Sequence, residues 1–168
     1  MHAPIDRSGN SGDDYIQLES RVRSLWEPGL PLYSNLANLS AILREFLDRT
    51  NWVGFYIWDP ARCELVVGPF QGLPACTRIA AGRGVCGTAV STRLTQRVAD
   101  VHAFPGHIAC DSASESEIVV PLVRRGSEVL GVLDVDSPEK GRFDADDQEG
   151  LERIAAAIVG LWPATSPA

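Results

Sequence analysis

The chain carries helix-like hydrophobic patterns towards both ends and strand-like patterns between them. After Pro31, apolar residues recur at steps of three and four, which predicts an amphipathic helix with one apolar stripe. A similar stripe over 15–26 follows Asp13-Asp14, a candidate helix cap, and another follows Phe143-Asp144. By contrast, the segment 52–58 is aromatic and β-branched, which is typical of a strand. The pattern therefore predicts two helices, then a sheet, then a closing helix.

Turn signals between the strand-like segments indicate how the strands pair. Asp59-Pro60 and residues 124–127 read as turns, and antiparallel strands need only such short connections. The fold class is therefore predicted as α+β, a central and mostly antiparallel sheet packed against helices from both chain ends. Strands are predicted over 52–58, 64–70, 77–79, 97–100, 117–123 and 128–136, with a short helix over 85–92 and a loop of no clear period over 101–111.

The composition is typical of one globular domain, and it argues against some classes of binding partner. The 168 residues suit a single domain over 13–162, with a disordered lead over 1–12 and a frayed tail over 163–168. The net charge of −7 and the lack of a long basic run argue against a nucleic-acid or anionic membrane surface. No apolar run approaches the ~18 residues of a membrane span, and no signal-peptide core is present, so we expect a cytoplasmic protein.

Three of the four cysteines lie in one stretch, 68–111, with glycine or proline near each of them. Cys86 comes two residues after Gly84, where the short helix is expected to start, and the helix dipole there favours a thiolate. Cys76 follows the loop residues Gly72-Leu-Pro-Ala, which predicts enough mobility to reach another thiol. In a reducing compartment such thiols are more often catalytic, metal-binding or structural than permanently crosslinked.

The third cysteine of the stretch, Cys110, has neighbours with opposite effects. His107 would lower the pKa of its thiol and Asp111 would raise it, and the sequence leaves the balance open. Cys63 lies near a strand start, away from the other three. A buried and inert role is the ordinary alternative for any single cysteine. Three of them in one loop-rich stretch favour chemistry.

Other chemistries fit these residues less well. A metal site would draw on His102, His107 and the clustered cysteines, but the chain has neither a C-x2-C pair nor an H-E-x-x-H motif. A Cys–His hydrolase needs more support than the short spacing of His107 and Cys110. Gly82-x-Gly84 matches a phosphate-binding loop only in part, and a tight turn is the simpler explanation. We therefore expect no metal and no bound cofactor.

Two acids alternate with apolar residues at the end of the last predicted strand. Asp134 and Asp136 therefore point to the same face of the sheet, and Glu117 begins the strand expected to pair with theirs. The acids form either a solvated strand end or an acidic pocket that binds an ammonium group and supplies a proton. On the first strand, Trp52 and Tyr56 share one face, and aromatics there are candidates to line such a pocket.

Six segments follow one another along the chain: NWVGFY, VVGPFQG-x-PAC-x-RI, GRGVCGTA, DVH-x-FPGHIACD, SEIVVPL and GVLDVDS. Together they resemble the GAF-domain free methionine-(R)-sulfoxide reductases, over about residues 32–161. The resemblance implies a six-stranded antiparallel sheet flanked by helices, with a ligand pocket on one side. Cys63 lies outside the motif cysteines and is assigned no part. A homodimer is compatible with this fold.

The resemblance also implies a reaction, the reduction of free L-methionine (R)-sulfoxide to methionine with thioredoxin as the external reductant. The attacking thiol would become a sulfenic acid, and a second thiol would condense with it to a disulfide. Cys76 is the first choice for that second thiol, with Cys86 left open. The matching positions are Cys110 as the attacking cysteine, Cys76 and Cys86 as resolving cysteines, Glu117, Asp134 and Asp136 as substrate-binding or proton-supplying acids, and Trp52 and Tyr56 as pocket aromatics.

A binding or sensory module is the competing class. GAF domains often bind small ligands without chemistry. The acids and aromatics would then only bind, and the cysteines would be incidental or would sense the redox state. Three placed cysteines favour the reductase, because a binding module has no need of them.

Overall fold

The computed structural model describes residue 8 and residues 11–106, 112–125 and 127–164. These residues form four α-helices, six β-strands and a 3-10 helix at Val101–Ala103. The helices are α1 (Ser11–Leu25), α2 (Leu32–Phe46), α3 (Gly84–Thr92) and α4 (Ala145–Leu161). The strands are β1 (Trp52–Asp59), β2 (Glu64–Gln71), β3 (Arg78–Ala80), β4 (Gln96–Val98), β5 (Ser116–Arg124) and β6 (Glu128–Ser137).

All six strands belong to one antiparallel sheet with the order β3-β2-β1-β6-β5-β4. The pairs β1–β2 and β5–β6 are hairpins, as the turn signals predicted. The long-range pairing of β1 with β6 joins the two hairpins into one sheet. The α+β class and the six-stranded antiparallel sheet are therefore confirmed.

Helices α2 and α4 pack on one face of the sheet, helix α1 packs on these two helices, and most of the core is buried there. Val53 and Phe55 of β1 and Leu133 of β6 are fully buried among them. Burying side chains of this size stabilises the fold by about 1.5–3 kcal/mol each. Helix α4 starts in a capping box, in which the Asp144 carboxylate accepts from Asp147 N–H and the Asp147 carboxylate accepts from Asp144 N–H.

Helix α3 packs on the opposite face, where it forms a second, smaller core. Val85 and Ala89 of α3 are buried there with Val119 and Val132 of the sheet. A Cβ atom on Gly87 would overlap the Ala80 carbonyl oxygen, so only glycine lets α3 approach β3 this closely. This approach fixes the first turn of α3, which carries Cys86, against the sheet.

Helix α1 begins at Ser11, four residues before the predicted start at 15. Asp13 and Asp14 lie inside its first turn, where negative charge favours the positive end of the helix dipole. Asp14 also accepts hydrogen bonds of 2.7 Å from both the backbone N–H and the hydroxyl of Ser8. The last two residues of the predicted lead are thus helical, and residues 1–7, 9 and 10 lie outside the described residues.

Smaller differences between the predicted and the observed elements occur where the hydrophobic pattern of the sequence has no clear period. Strand β4 ends at Val98, and the predicted loop begins with the 3-10 helix, which Asp100 caps by accepting from His102 N–H. In the predicted tail, Arg124 Nη2 donates to the Pro163 carbonyl at 2.8 Å, and residues 165–168 lie outside the described residues. Among the helices described, none has the length and apolar character needed to cross a membrane.

Candidate active site

Three carboxyl groups meet where β5 begins and β6 ends. Glu117 pairs with Asp136 across the two strands, and Asp134 lies two residues before Asp136 on the same face. Asp134 pairs with Val119 on one side and with Gly54 on the other. The predicted grouping of Glu117, Asp134 and Asp136 on one face is therefore confirmed.

Two of these acids are deeply buried, and their surroundings favour the protonated form. Glu117 is 7% exposed and Asp134 is 5% exposed. Burial raises the pKa of Glu117 well above its usual value, and the charges of Asp134 and Asp136 raise it further. Burial also raises the pKa of Asp134 to about 7. The site therefore favours a proton on Glu117, and the carboxyl group of Asp134 titrates near neutral pH.

Asp134 also has an unused acceptor. Its Oδ1 atom is buried and has no hydrogen-bond partner among the described residues. An unpaired buried carboxylate oxygen costs about 1–3 kcal/mol or more. A cationic ligand with N–H donors would remove this cost, so the site is suited to an ammonium group.

Cys86 adds a buried thiol to the acids. Its Sγ atom contacts Glu117 Oε1 at 3.8 Å, and one ligand atom from each of Cys86, Glu117 and Asp134 lies within 4.8 Å of the others. The helix dipole predicted a thiolate at Cys86, and this expectation is wrong. Burial raises the pKa of the thiol, and the charges of Asp134 and Glu117 raise it further, which outweighs a nine-residue helix.

The remaining cysteines differ in oxidation state and surroundings. Cys76 is disulfide-bonded and half-buried in the segment between β2 and β3, outside any helix or strand. Cys86 and the exposed Cys63 are free thiols. Cys110, together with His107 and Asp111, lies outside the described residues. Among the described cysteines, Cys76 is therefore the one that forms a disulfide.

Aromatic rings form the floor beside the acids. Trp52 and Tyr56, which are 2% and 1% exposed, stack at a centroid distance of 5.7 Å, and Trp52 also stacks on Phe70 at 5.1 Å. Trp52 Nε1 donates to the Leu73 carbonyl at 3.2 Å, which ties the ring to the segment that leads to Cys76. Phe70 was not anticipated, because the β1–β2 register shifts between Gly54 and Tyr56, and simple alternation does not reveal the pairing.

Within the part of the chain that the structure describes, two clusters have the residue types of metal ligands. The first is Cys86, Glu117 and Asp134. The second combines Asp100, His102 and Glu115 at the surface, where Lys140 Nζ already lies 2.7 Å from Asp100 and 3.8 Å from Glu115. Of the ligands weighed from the sequence, His102 thus lies in the second cluster and Cys86 in the first.

The geometry supports two chemical tasks at one place. Glu117, whose pKa is raised, can donate a proton in a buried site, and the aspartates can bind a positive group beside the aromatic floor. Chemistry at sulfur would need a nucleophilic thiol in addition, and the buried Cys86 thiol is poorly suited to that task because its thiolate is disfavoured.

Comparison with known proteins places these features in a family. A family model of the GAF domain matches residues 37–159. The chain is 48% identical over 149 residues to the free methionine-R-sulfoxide reductase of Escherichia coli (strain K12), covering 89% of this chain and 88% of that protein. It is 45% identical over 129 residues to the free methionine-R-sulfoxide reductase of Saccharomyces cerevisiae (strain ATCC 204508 / S288c), covering 74% and 72% respectively. In structure it is similar to free methionine-R-sulfoxide reductase from Neisseria meningitidis in complex with its substrate, with a TM-score of 0.89, 42% identity, and coverage of 96% and 95%. The chain therefore belongs to the GAF-domain free methionine-(R)-sulfoxide reductases.

Proposed function

We propose that the protein reduces free L-methionine (R)-sulfoxide to L-methionine. The buried pair of Glu117 and Asp134 carries this proposal, because it offers a proton and an unpaired carboxylate oxygen in one site. The reduction of a sulfoxide requires the proton, and the recognition of a free amino acid uses the unpaired carboxylate oxygen. The relatives named as free methionine-R-sulfoxide reductases support the same reaction.

The acids explain a preference for the free amino acid. The α-ammonium group of the substrate would pair with Asp134, whose Oδ1 atom has no hydrogen-bond partner among the described residues, and with Asp136 beside it. A methionine sulfoxide inside a peptide has no such ammonium group. Trp52 and Tyr56 would contact the alkyl and sulfur part of the side chain, since sulfur packs favourably on aromatic rings.

The first step joins a thiol to the sulfoxide. The Cys110 thiolate attacks the electrophilic sulfur, and Glu117 gives its proton to the sulfoxide oxygen. Methionine leaves when the oxygen passes to Cys110 as a sulfenic acid, so the substrate sulfur is reduced by two electrons and the cysteine is oxidised by two. Glu117 regains a proton from water.

The second step removes the oxygen as water. The Cys76 thiol attacks the sulfenic acid sulfur of Cys110, a disulfide forms, and water leaves. An external dithiol, for which thioredoxin is our candidate, then reduces the disulfide by exchange and becomes a disulfide itself. The oxidised state of Cys76 supports its place in this step. The need for such a reductant also supports a cytoplasmic location.

Turnover of the separated R and S epimers tests the proposal. The assay contains thioredoxin and its NADPH-linked reductase, and NADPH oxidation reports each cycle. We expect consumption of the R epimer alone, loss of turnover in Cys110→Ser, and full turnover in the control Cys63→Ser, because Cys63 is exposed and lies outside the site. If the fully reduced wild-type protein consumes neither epimer, the proposal fails and a binding module without chemistry remains.

A further inference from the structure

The Cys86 thiol lies in the site without a task in the steps above. It is 4% exposed, and its Sγ atom is 3.8 Å from Glu117 Oε1, within the distance of a hydrogen bond from sulfur. The orphaned Asp134 Oδ1 is part of the same buried group. A protonated thiol adds a hydrogen-bond donor beside these two carboxyl groups, and an ionised carboxylate can only accept.

The backbone around Cys86 holds this thiol in place. Gly87 N–H donates to the Arg83 carbonyl at 3.1 Å, and Gly82 N–H donates to the Gly87 carbonyl at 2.8 Å. The close approach of Gly87 to Ala80 leaves the first turn of α3 no room to move towards the sheet. The thiol of Cys86 is therefore held rigidly and cannot swing as a thiol on a loop can.

Cys76 differs from Cys86 in burial, in local structure and in oxidation state. It is half-buried, lies outside the helices and strands, and is already oxidised, whereas Cys86 is reduced. Thiol–disulfide chemistry needs an accessible thiolate, and burial beside acids disfavours one at Cys86. The family resemblance gives both cysteines a resolving role, but their surroundings separate them.

We propose that Cys86 is a positioning residue for the reduction step, and that its S–H group donates to Glu117 Oε1 and fixes the Glu117 carboxyl group beside Asp134. This inference rests on the proposed function and assigns Cys86 to the first step instead of the second. The thiol determines which Glu117 oxygen accepts, so the other oxygen is left to carry the proton that goes to the substrate.

The pH dependence of the first step reports this contact. The described groups that face Glu117 are Cys86 from α3, Asp134 and Asp136 from β6, and Tyr56 from β1. The hydrogen bond from Cys86 lowers the pKa of Glu117 and so opposes the effect of the acids. Removal of the donor therefore raises the pKa of Glu117, and the loss of rate at alkaline pH moves to higher pH.

The test is a single turnover without any external reductant. Reduced enzyme is mixed with the R epimer, and the rate of methionine release is followed from pH 5 to 10. In Cys86→Ala, and in Cys86→Val, whose side chain fills the space of the thiol better, we expect a rate of methionine release about tenfold lower, because one hydrogen bond is lost. We also expect the alkaline limb of the profile, the loss of rate at high pH, to lie at higher pH. Both variants lack a hydrogen-bond donor, so the test can still be made if one of them fails to fold. Cys63→Ala is the matched control and should behave as wild type.

Cys86→Ser restores a donor and separates the possible roles. A positioning thiol predicts that Ser recovers most of the single-turnover rate and the wild-type alkaline limb. A resolving thiol predicts unchanged single turnover in all three variants, with loss only in thioredoxin-coupled cycling, and that result would overturn the inference. A merely structural thiol predicts a lower Tm with an unmoved alkaline limb and no recovery by Ser, which would overturn it equally.

Failure of the inference can be distinguished from failure of the proposed function. If wild-type enzyme releases methionine in the single turnover but the Cys86 variants keep its rate and pH profile, only the positioning role is lost. If the wild-type enzyme itself releases no methionine, the proposed function fails, and the positioning role fails with it.

Discussion

Glu117 and Asp136 are direct partners across the antiparallel strands β5 and β6, so their carboxyl groups lie on one face of the sheet. Like charges in directly opposite positions destabilise a sheet, and the register thus favours a proton on one of the two acids. Burial selects Glu117 for that proton, since Glu117 is buried and Asp136 is only partly so. The strand register therefore favours the protonated form of Glu117, which can then act as a proton donor.

Glu117→Gln should abolish most of the chemistry while keeping the shape of the site. The amide cannot give up a proton as a carboxylic acid does, so we expect the single-turnover rate to fall by about 10²–10⁴-fold. Quenched-flow measurement of methionine release gives this rate. Glu128→Gln is the matched control, because Glu128 is exposed at the far end of the same hairpin. Unchanged kcat and KM in Glu117→Gln would remove the residue's role.

The raised pKa of Asp134 should make stability decrease between about pH 4 and pH 7. The folded value is about 7, whereas an unfolded aspartate titrates near ~3.9. Between these two pKa values the folded state binds one proton more than the unfolded state. The contribution of this proton to the free energy of unfolding is therefore full below the unfolded pKa, and it is lost as pH rises to the folded pKa. The slope for one proton is about −1.4 kcal/mol per pH unit in the free energy of unfolding.

Urea unfolding at several pH values measures this effect. Asp134→Asn cannot titrate, and its stability relative to wild type should increase from pH 4 to pH 7. Asp146→Asn is the control, because Asp146 is exposed in the first turn of α4. Parallel pH profiles for wild type and Asp134→Asn would show that the carboxyl of Asp134 is not protonated on folding.

The sequence predicted those parts of the fold and the site that depend on local periods. Alternation along β6 placed Asp134 and Asp136 on one face, and the hairpin turn placed Glu117 beside Asp136. Six strand-like segments predicted the number of strands, and the motif resemblance implied the same number. The start of α1 was missed, because Asp13 and Asp14 favour a cap and a first helical turn alike.

Contacts between distant elements could not be predicted in this way. The approach of Cys86 to Glu117 depends on how α3 packs against the sheet, which Gly87 and the Ala80 carbonyl decide. A local argument from the helix dipole therefore gave the wrong direction for the pKa of Cys86. Desolvation shifts a pKa by up to about 3–5 units in a buried site, more than a helix terminus can offset.

Asp136→Asn should weaken the binding of the free amino acid more than it slows the chemistry. A hydrogen bond to a charged group contributes about 1.5–3 kcal/mol, so we expect KM for the R epimer to rise by about 10–100-fold with a small change in kcat. N-acetyl methionine sulfoxide lacks the ammonium charge and should be a poor substrate for both proteins. Steady-state kinetics with both substrates give the comparison. An equal KM increase for the acetylated substrate would rule out ammonium recognition by Asp136, and Asp146→Asn serves again as the control.

Gly54→Ala should disturb the aromatic floor. A Cβ atom at Gly54 would overlap Phe70 Cβ and lie 2.8 Å from Trp52 Cη2, so the stack of Trp52 on Phe70 must shift. Overpacking of this kind costs about 1–3 kcal/mol of unfolding free energy. Because Trp52 pairs with Asp136 and Gly54 pairs with Asp134, we also expect a higher KM.

Gly160→Ala is the matched control for this substitution. Nothing lies within 4 Å of a Cβ atom at Gly160 in α4, and alanine favours a helix over glycine by about 1 kcal/mol. Urea unfolding should therefore show Gly54→Ala less stable and Gly160→Ala equally or more stable than wild type. Equal stability and KM in Gly54→Ala and wild type would mean that the floor accommodates a methyl group, and that the contacts of Trp52 do not shape the substrate site.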